Sequence, residues 1–318
     1  MLPRLGRYIQ LTAMSLLLVA VPSRAEDGAP VLLERGKRQL ELQISTQFEP
    51  AMRHSLQQWV EFIADVLLQV YGHWPRQSWQ ISVTPVSASS SEPIPWAQVY
   101  RNEVDRVEFF IATKATTQEL KRAWTGYHEL AHLLIPYQGW GDAWFSEGLA
   151  SYYQYILQAR AGILTEQEMW QELYEGYQRG LSDTAFEGRD LRSVSDNMRQ
   201  EGGFMRVYWS GAWYFLAADA RLRQQSRGRH NLDQALAKLN LCCANDPMSA
   251  PAMARKLDEL NRVLLFQPLF EQVSTSLSIP PFEPIFASLG ITVTGGKVRL
   301  QSEGPGAMLR RQIVLKTR

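Results

Sequence analysis

Hydrophobic and polar positions alternate along the first third of the chain and recur with helical period after it. Residues 38–48 (RQLELQISTQF) put Leu40, Leu42 and Ile44 on every second position, the period of a half-buried strand. Across residues 50–71, Leu56, Trp59, Val60, Ile63, Val66, Leu67 and Val70 return every three or four residues. That predicts an amphipathic helix ended by Gly72 and Pro75. Residues 79–83 (WQISV), 96–101 (WAQVYR) and 107–112 (VEFFIA) predict three more strands, with a Ser/Pro loop at 87–95 and a turn at 102–105. From Thr116 to about Leu222 the pattern is mostly helical. Asn231 is placed to cap a helix running to about Leu239, and residues 257–273 predict a helix broken near Pro268. Residues 291–300 (ITVTGGKVRL) hold two β-like runs around Gly295 and Gly296, a hairpin pattern. Strands first and helices after predict an α+β fold. Its parts are a small N-terminal mixed β-sheet with helices (residues 38–160), a mainly α-helical lobe (161–290), and a C-terminal hairpin and tail (291–318).

The first 25 residues read differently. Arg4 and Arg7 precede an apolar run at 11–21 (LTAMSLLLVAV) that is short for a bilayer span. Pro22, Ser23, Arg24 and Ala25 then offer small residues where a signal peptidase reads. A secretory signal cut after Ala25 is expected, with a retained N-terminal anchor as the alternative. The mature chain is then exported, to a periplasm or beyond, and residues 26–37 are expected as a flexible tether. No later stretch has the length and apolarity of a membrane span.

Charge narrows the partners. The 33 basic and 32 acidic residues nearly cancel, and no long run of one sign occurs. Binding nucleic acid through phosphate attraction is therefore not expected. The two cysteines, Cys242 and Cys243, are neighbours and lack the spacing of a metal clip. They are expected as two small core residues, with a vicinal or intermolecular disulfide as the alternative.

Candidate chemistry begins at residues 126–136 (GYHELAHLLIP). Thr116 and Glu119 have the spacing of a capping box, and Pro136 ends the helix they open. Leu120, Trp124, Tyr127, Ala131 and Leu134 form its apolar stripe. His128 and His132 lie roughly 40° apart on the flank of that stripe. Residues four apart stack one turn above the other, so two imidazoles can aim at one ion. Glu129 is turned about 100° from His128, which keeps its carboxylate out of the ligand set but beside it. The HExxH pattern has this logic: two zinc ligands and a general base. The plainer reading is two core histidines satisfied by backbone carbonyls.

A third ligand is needed. Asp142 is placed to cap a helix beginning WFSEGLASYYQYIL, which is apolar nearly all round and therefore buried. Glu147 lies inside its first turns, and no lysine or arginine follows on the helix before Arg160. A buried carboxylate needs a partner, and a metal held by His128 and His132 supplies one. The macrodipole at the helix N-terminus is the alternative explanation.

HELAH followed by WFSEGLASYY resembles the gluzincins, zinc peptidases whose third ligand is a glutamate on the next helix. The nearest likeness is to aminopeptidase N and glycyl aminopeptidase relatives, over residues 107–239. The resemblance implies one zinc ion on His128, His132 and Glu147, with Glu129 as general base. Tyr208 and Gly211 resemble the Tyr-x-x-Gly that supplies an oxyanion-binding tyrosine in those relatives, and Gly211 leaves room for another backbone or a ligand. Ser151, one turn beyond Glu147, is a candidate to orient that ligand, and Asp183, Asp190 and Asp196 are candidates to hold the outer histidine nitrogens. Two departures stand out. Fourteen residues separate His132 from Glu147, fewer than in aminopeptidase N-type enzymes. The Gly-Ala-Met-Glu-Asn strand that binds a free amino terminus there has no counterpart at residues 96–101, and Glu103 and Glu108 do not replace it convincingly. The expected function is an exported zinc metallopeptidase acting on peptide or protein substrates. The alternatives are an inactive gluzincin-like binding protein, or a zinc amidohydrolase acting on a non-protein amide such as cell-wall peptide.

Overall fold

A computed structural model describes residues 29–87 and 92–315. The expected secretory signal lies outside the described residues. The chain opens with β1 (Val31–Arg35), turned back through Gly36 at φ +64° into β2 (Arg38–Ile44). This corrects the expected tether: β1 pairs antiparallel with β2, Leu33 opposite Leu40. The alternation is present in VLLER, with Leu33 buried and Leu32 57% exposed, but it spans too few residues to stand out in the sequence.

Helix α1 (Pro50–Val66) and the single turn α2 (Leu68–Tyr71) carry the predicted stripe inward, and Gly72 at φ +75° ends them. Then come β3 (Ser78–Val86), β4 (Trp96–Arg101) and β5 (Asp105–Ala112). The sheet order is β1-β2-β3-β5-β4. The β2–β3 and β3–β5 pairs are parallel and the outer two antiparallel, so the sheet is mixed and β4 is an edge. Trp79, Ile81 and Val83 bury one face of β3, and Trp59 of α1 meets Phe109 of β5 edge to face at 5.2 Å.

The helix expected over residues 116–136 is divided. Thr116 does close a capping box with Glu119, but it opens only α3 (Thr117–Arg122). Extended backbone at Ala123 separates α3 from α4 (Trp124–Ala131), and a 3-10 turn, His132–Leu134, follows. Leu120, Tyr127, Ala131 and Leu134 stay buried, whereas Trp124 leaves the predicted stripe and is 47% exposed. Gly126 lets α4 settle on α1: a Cβ there would stand 3.2 Å from the Trp59 ring.

The rest is helical, with α5 (Ala143–Arg160), α6 (Glu166–Ser182), α7 (Leu191–Glu201), α8 (Phe204–Ser226) and α9 (Leu232–Cys243). Next are α10 (Ala250–Asn261), α11 (Phe266–Ser274) and α12 (Glu283–Ser288), the hairpin β6 (Ile291–Thr294) and β7 (Lys297–Leu300), and α13 (Pro305–Val314). The break expected near Pro268 falls earlier, at Arg262 with φ +54°. Pro268 sits in the first turn of α11, where no intrahelical N–H is required, and Asp258 accepts hydrogen bonds from the Leu265, Phe266 and Gln267 N–H groups. Cys242 and Cys243 are joined in a vicinal disulfide, with Cys243 buried and Cys242 exposed, which corrects the reading of two reduced core residues. Among the described residues, no helix is long and apolar enough to cross a membrane.

Helices α5 and α8 cross where glycine meets glycine. A Cβ on Gly148 would collide with the backbone of Gly211, and one on Gly211 with the Trp144 carbonyl and Gly148. Of the two possibilities raised by Gly211, close approach of another backbone is the one realised.

Candidate metal centre

Three side chains from three elements converge. His128 comes from α4, His132 from the 3-10 turn and Glu147 from the second turn of α5. Glu147 Oε2 stands 3.2 Å from His128 Nε2 and 3.7 Å from His132 Nε2. The three ligand atoms lie within 4.8 Å of one another. The outer nitrogens are engaged as well: His128 Nδ1 lies 2.8 Å from Gln154 Oε1, and His132 Nδ1 lies 2.8 Å from Ser146 Oγ. A carbonyl oxygen only accepts, so His128 Nδ1 carries a proton, and Nε2, which faces Glu147, is the atom that would bind a metal. Two imidazole nitrogens and a carboxylate oxygen form a donor set that suits zinc, with a fourth coordination position left open.

Electrostatics favour the same arrangement. Burial pushes the His132 pKa down to about 4, so its ring is neutral at pH 7, the form in which histidine binds metal. Burial also opposes the charge on Glu147, but the His132 and His128 rings and the Tyr208 hydroxyl hold its pKa below the ordinary carboxylate value. For His128, burial is outweighed by the bond and charge of Glu147, and the pKa is raised. Glu129 has no such relief. Burial pushes it up to about 7, only partly offset by His128, which poises it between acid and base near neutrality.

Tyr208 completes the group from α8. Its ring stacks over His128, with centroids 5.9 Å apart and planes 23° apart, and its hydroxyl feels the charge of Glu147. Burial first, then the charges of Glu147 and Glu129, raise its pKa well above the ordinary phenol value, so the hydroxyl keeps its proton. The Gly148–Gly211 contact explains why Glu147 and Tyr208, far apart in sequence, meet.

Other expected residues are placed elsewhere. Ser151 is buried, but the hydrogen bonds to the two rings come from Ser146, Gln154 and Glu147 among the described residues. Asp142 does not cap α5. Its backbone is left-handed at φ +51°, and its carboxylate accepts from the Trp144 indole at 3.1 Å. Asp183 accepts from the Met205 backbone N–H, and Asp190 caps α7, so neither serves the histidines. Glu103 is exposed in a turn, and Glu108 accepts from Tyr100 at 3.0 Å.

The sequence missed Ser146 and Gln154, although Gln154 follows Glu147 by two helical turns and so shares its face. It also missed a buried arginine pair. Arg101, at the end of β4, donates to the His132 and Ile135 carbonyls, each at 2.9 Å. Arg76 donates to the Ile135 carbonyl at 2.5 Å and to the Ala244 carbonyl. Asp105 lies between the two guanidiniums, 2.7 Å from Arg76 and 3.3 Å from Arg101. Burial and the neighbouring Arg76 push the Arg101 pKa down to about 10.

Comparison with known proteins supports a zinc metallopeptidase resemblance. The family model of M61 glycyl aminopeptidase matches residues 138–239. No match is found among curated proteins. Among solved structures, an aminopeptidase N family protein from Idiomarina loihiensis superposes with a TM-score of 0.61 at 14% identity, over 83% of this chain and 49% of that one. An M1 zinc metallopeptidase from Deinococcus radiodurans superposes with a TM-score of 0.50 at 17% identity, over 79% of this chain and 51% of that one. A mutant of the Deinococcus enzyme bound to a Tyr-Ser-Ala substrate matches at 16% identity with a TM-score of 0.50, over 79% of this chain and 52% of that one. At these identities the likeness is one of fold, and the chain spans about half the length of the structures it matches.

Proposed function

We propose that this protein is a zinc-dependent metallopeptidase that hydrolyses peptide bonds, with one zinc ion held by His128, His132 and Glu147. The observation that carries the reading is the convergence of two imidazoles and a carboxylate, His128, His132 and Glu147, on one point. Bound zinc supplies a Lewis acid that polarises the scissile carbonyl and makes water nucleophilic near neutral pH. The chain's residues do the remainder. Glu129 takes a proton from the attacking water and returns it to the leaving amine. Tyr208 donates its hydroxyl hydrogen to the oxygen on which charge develops. Gln154 and Ser146 hold the two rings in the orientation the metal requires. The open edge of β4 can pair with an extended peptide through backbone hydrogen bonds. Peptide as substrate is supported by the Tyr-Ser-Ala complex of the Deinococcus relative. Export, read from residues 1–25, is part of the same proposal.

The reading is tested by zinc content and cleavage together. Purified protein is expected to carry about one zinc per chain. A chelator should abolish cleavage of a peptide library, and returned zinc should restore it. A zinc-free preparation that cleaves as fast as the loaded one overturns the metal's role. Zinc bound without cleavage of any peptide points instead to the binding protein or to a non-protein amide.

A further inference from the structure

The second histidine of the metal centre is held differently from the first. His128 lies within α4, whereas His132 opens the 3-10 turn His132–Leu134 that follows. Such turns have poorer hydrogen-bond geometry than an α-helix. Continuing the α-helix would carry the His132 carbonyl to the N–H four residues on, but that residue is Pro136, which has no N–H. Ile135 is already extended, at φ −126° and ψ 161°. The turn that aims the His132 ring therefore needs support from outside its own helix.

That support comes from the sheet. The Arg101 guanidinium spans the turn: Nη1 donates to the His132 carbonyl and Nη2 to the Ile135 carbonyl, each at 2.9 Å. Arg76 donates a second hydrogen bond to the Ile135 carbonyl, at 2.5 Å. Arg101 ends β4 directly opposite Asp105, the first residue of β5. Asp105 Oδ1 lies 3.3 Å from Arg101 Nε, and its Oδ2 lies 2.7 Å from Arg76 Nε. The Tyr137 ring flanks the fork, with its centre 6.0 Å from Arg101 Cζ. All three charged side chains are withdrawn from solvent, at 4% exposure for Arg76, 10% for Arg101 and 13% for Asp105.

Two buried guanidiniums against one carboxylate leave an excess positive charge, and apolar side chains of similar volume would fill the space at lower cost. What a guanidinium adds is a rigid planar fork that sets the spacing of two acceptors. Here the two acceptors are the carbonyls at either end of the turn that carries His132. Ser146 holds the His132 ring by its outer nitrogen, and Arg101 holds the backbone from which that ring projects.

We infer that Arg101 is a positioning residue for the metal ion. Through the His132 and Ile135 carbonyls it sets the turn from which the second imidazole reaches the ion, while Asp105 and Arg76 keep the fork in place. Metal affinity then depends on the end of β4, an element that supplies no ligand. The inference rests on the zinc centre proposed above and deepens it.

The test uses the full chain with zinc and, separately, with cobalt(II), whose visible absorption bands report how the ligands are arranged about the ion. Arg101→Lys keeps the charge but replaces the fork with a single nitrogen. It should lower zinc affinity about tenfold or more, read by competition with a chelator, and shift the cobalt bands. Arg76→Lys, which loses a contact to Ile135 but none to His132, should have a smaller effect on both. The melting temperature of the metal-free protein is followed alongside. A role in stability alone would lower that temperature and leave zinc affinity and cobalt bands as in wild type, which overturns the inference. If Arg101→Lys does not fold, Asp105→Asn decides. It loosens the guanidinium without touching the turn and should shift the same bands; an unchanged spectrum overturns the inference. Wild type that binds no zinc overturns the zinc centre as well, whereas a zinc-binding wild type with unmoved variants overturns this inference alone.

Discussion

Glu147 shares the space between two imidazoles and a phenol, and each imidazole is held by a side chain further out. Gln154 and Ser146 matter for this reason although neither belongs to the HExxH pattern. Gln154→Ala and Ser146→Ala should each weaken zinc binding by about 10- to 100-fold, read by competition with a chelator of known affinity. Wild-type affinity in both would mean that the rings are oriented by packing alone. At this scale much of the site was legible. The spacing of His128 and His132 is local information, and so is the lack of a basic residue on α5 that could pair with Glu147. Ser146 and Gln154 were missed because the sequence does not show which way a ring nitrogen turns. Arg101 and Arg76 were hidden because, Asp105 aside, their partners are backbone carbonyls, which every residue has and no pattern marks.

Elements set these residues at working distance, and one close contact that does so is the glycine crossing of α5 and α8. Gly211→Ala puts a methyl group into the Trp144 carbonyl and Gly148. The helices must then move apart, at a cost of about 1–3 kcal/mol or more. The melting temperature should fall, and because Glu147 and Tyr208 flank the crossing, zinc affinity should fall with it. A variant with wild-type stability and zinc binding contradicts the contact. Capping gives a separate prediction. Hydrogen bonds from Thr116 and Thr165 hold the Glu119 and Glu168 carboxylates below their ordinary pKa. A depressed folded pKa adds stability that is present above the unfolded value, about 4.5, and is lost as the pH falls through the folded one. Glu168→Gln keeps an acceptor for the Thr165 N–H but does not titrate, so stability should decline less on acidification than in wild type. Identical acid-unfolding curves would show that the box contributes nothing pH-dependent. The boundaries of these elements were less legible than their existence. The helical period runs unbroken through Ala123, where the backbone turns extended and α4 starts afresh with Trp124 exposed.

At the scale of the molecule, the metal centre joins a mixed sheet to a helical layer. Arg101 reaches from the sheet edge to the carbonyl of one ligand, and Arg76 continues from Asp105 to the end of α9. The change from period two to helical period was enough to predict the α+β class, but not the strand order, because parallel pairing of β2, β3 and β5 depends on partners remote in sequence. The sequence predicts only a hairpin followed by a tail over residues 291–318. In the structure α13 docks there through Arg310, which is buried and bonded to the Gly290 and Gln301 carbonyls and to Glu166. On the proposed reading, this architecture serves one arrangement: a base, Glu129, held beside a metal that it does not bind. The most direct test is the zinc-loaded Glu129→Gln protein, assayed for metal content and for peptide cleavage in the same preparation. The account predicts wild-type zinc content and a loss of turnover of about 10²- to 10⁴-fold. Wild-type cleavage by Glu129→Gln would contradict it.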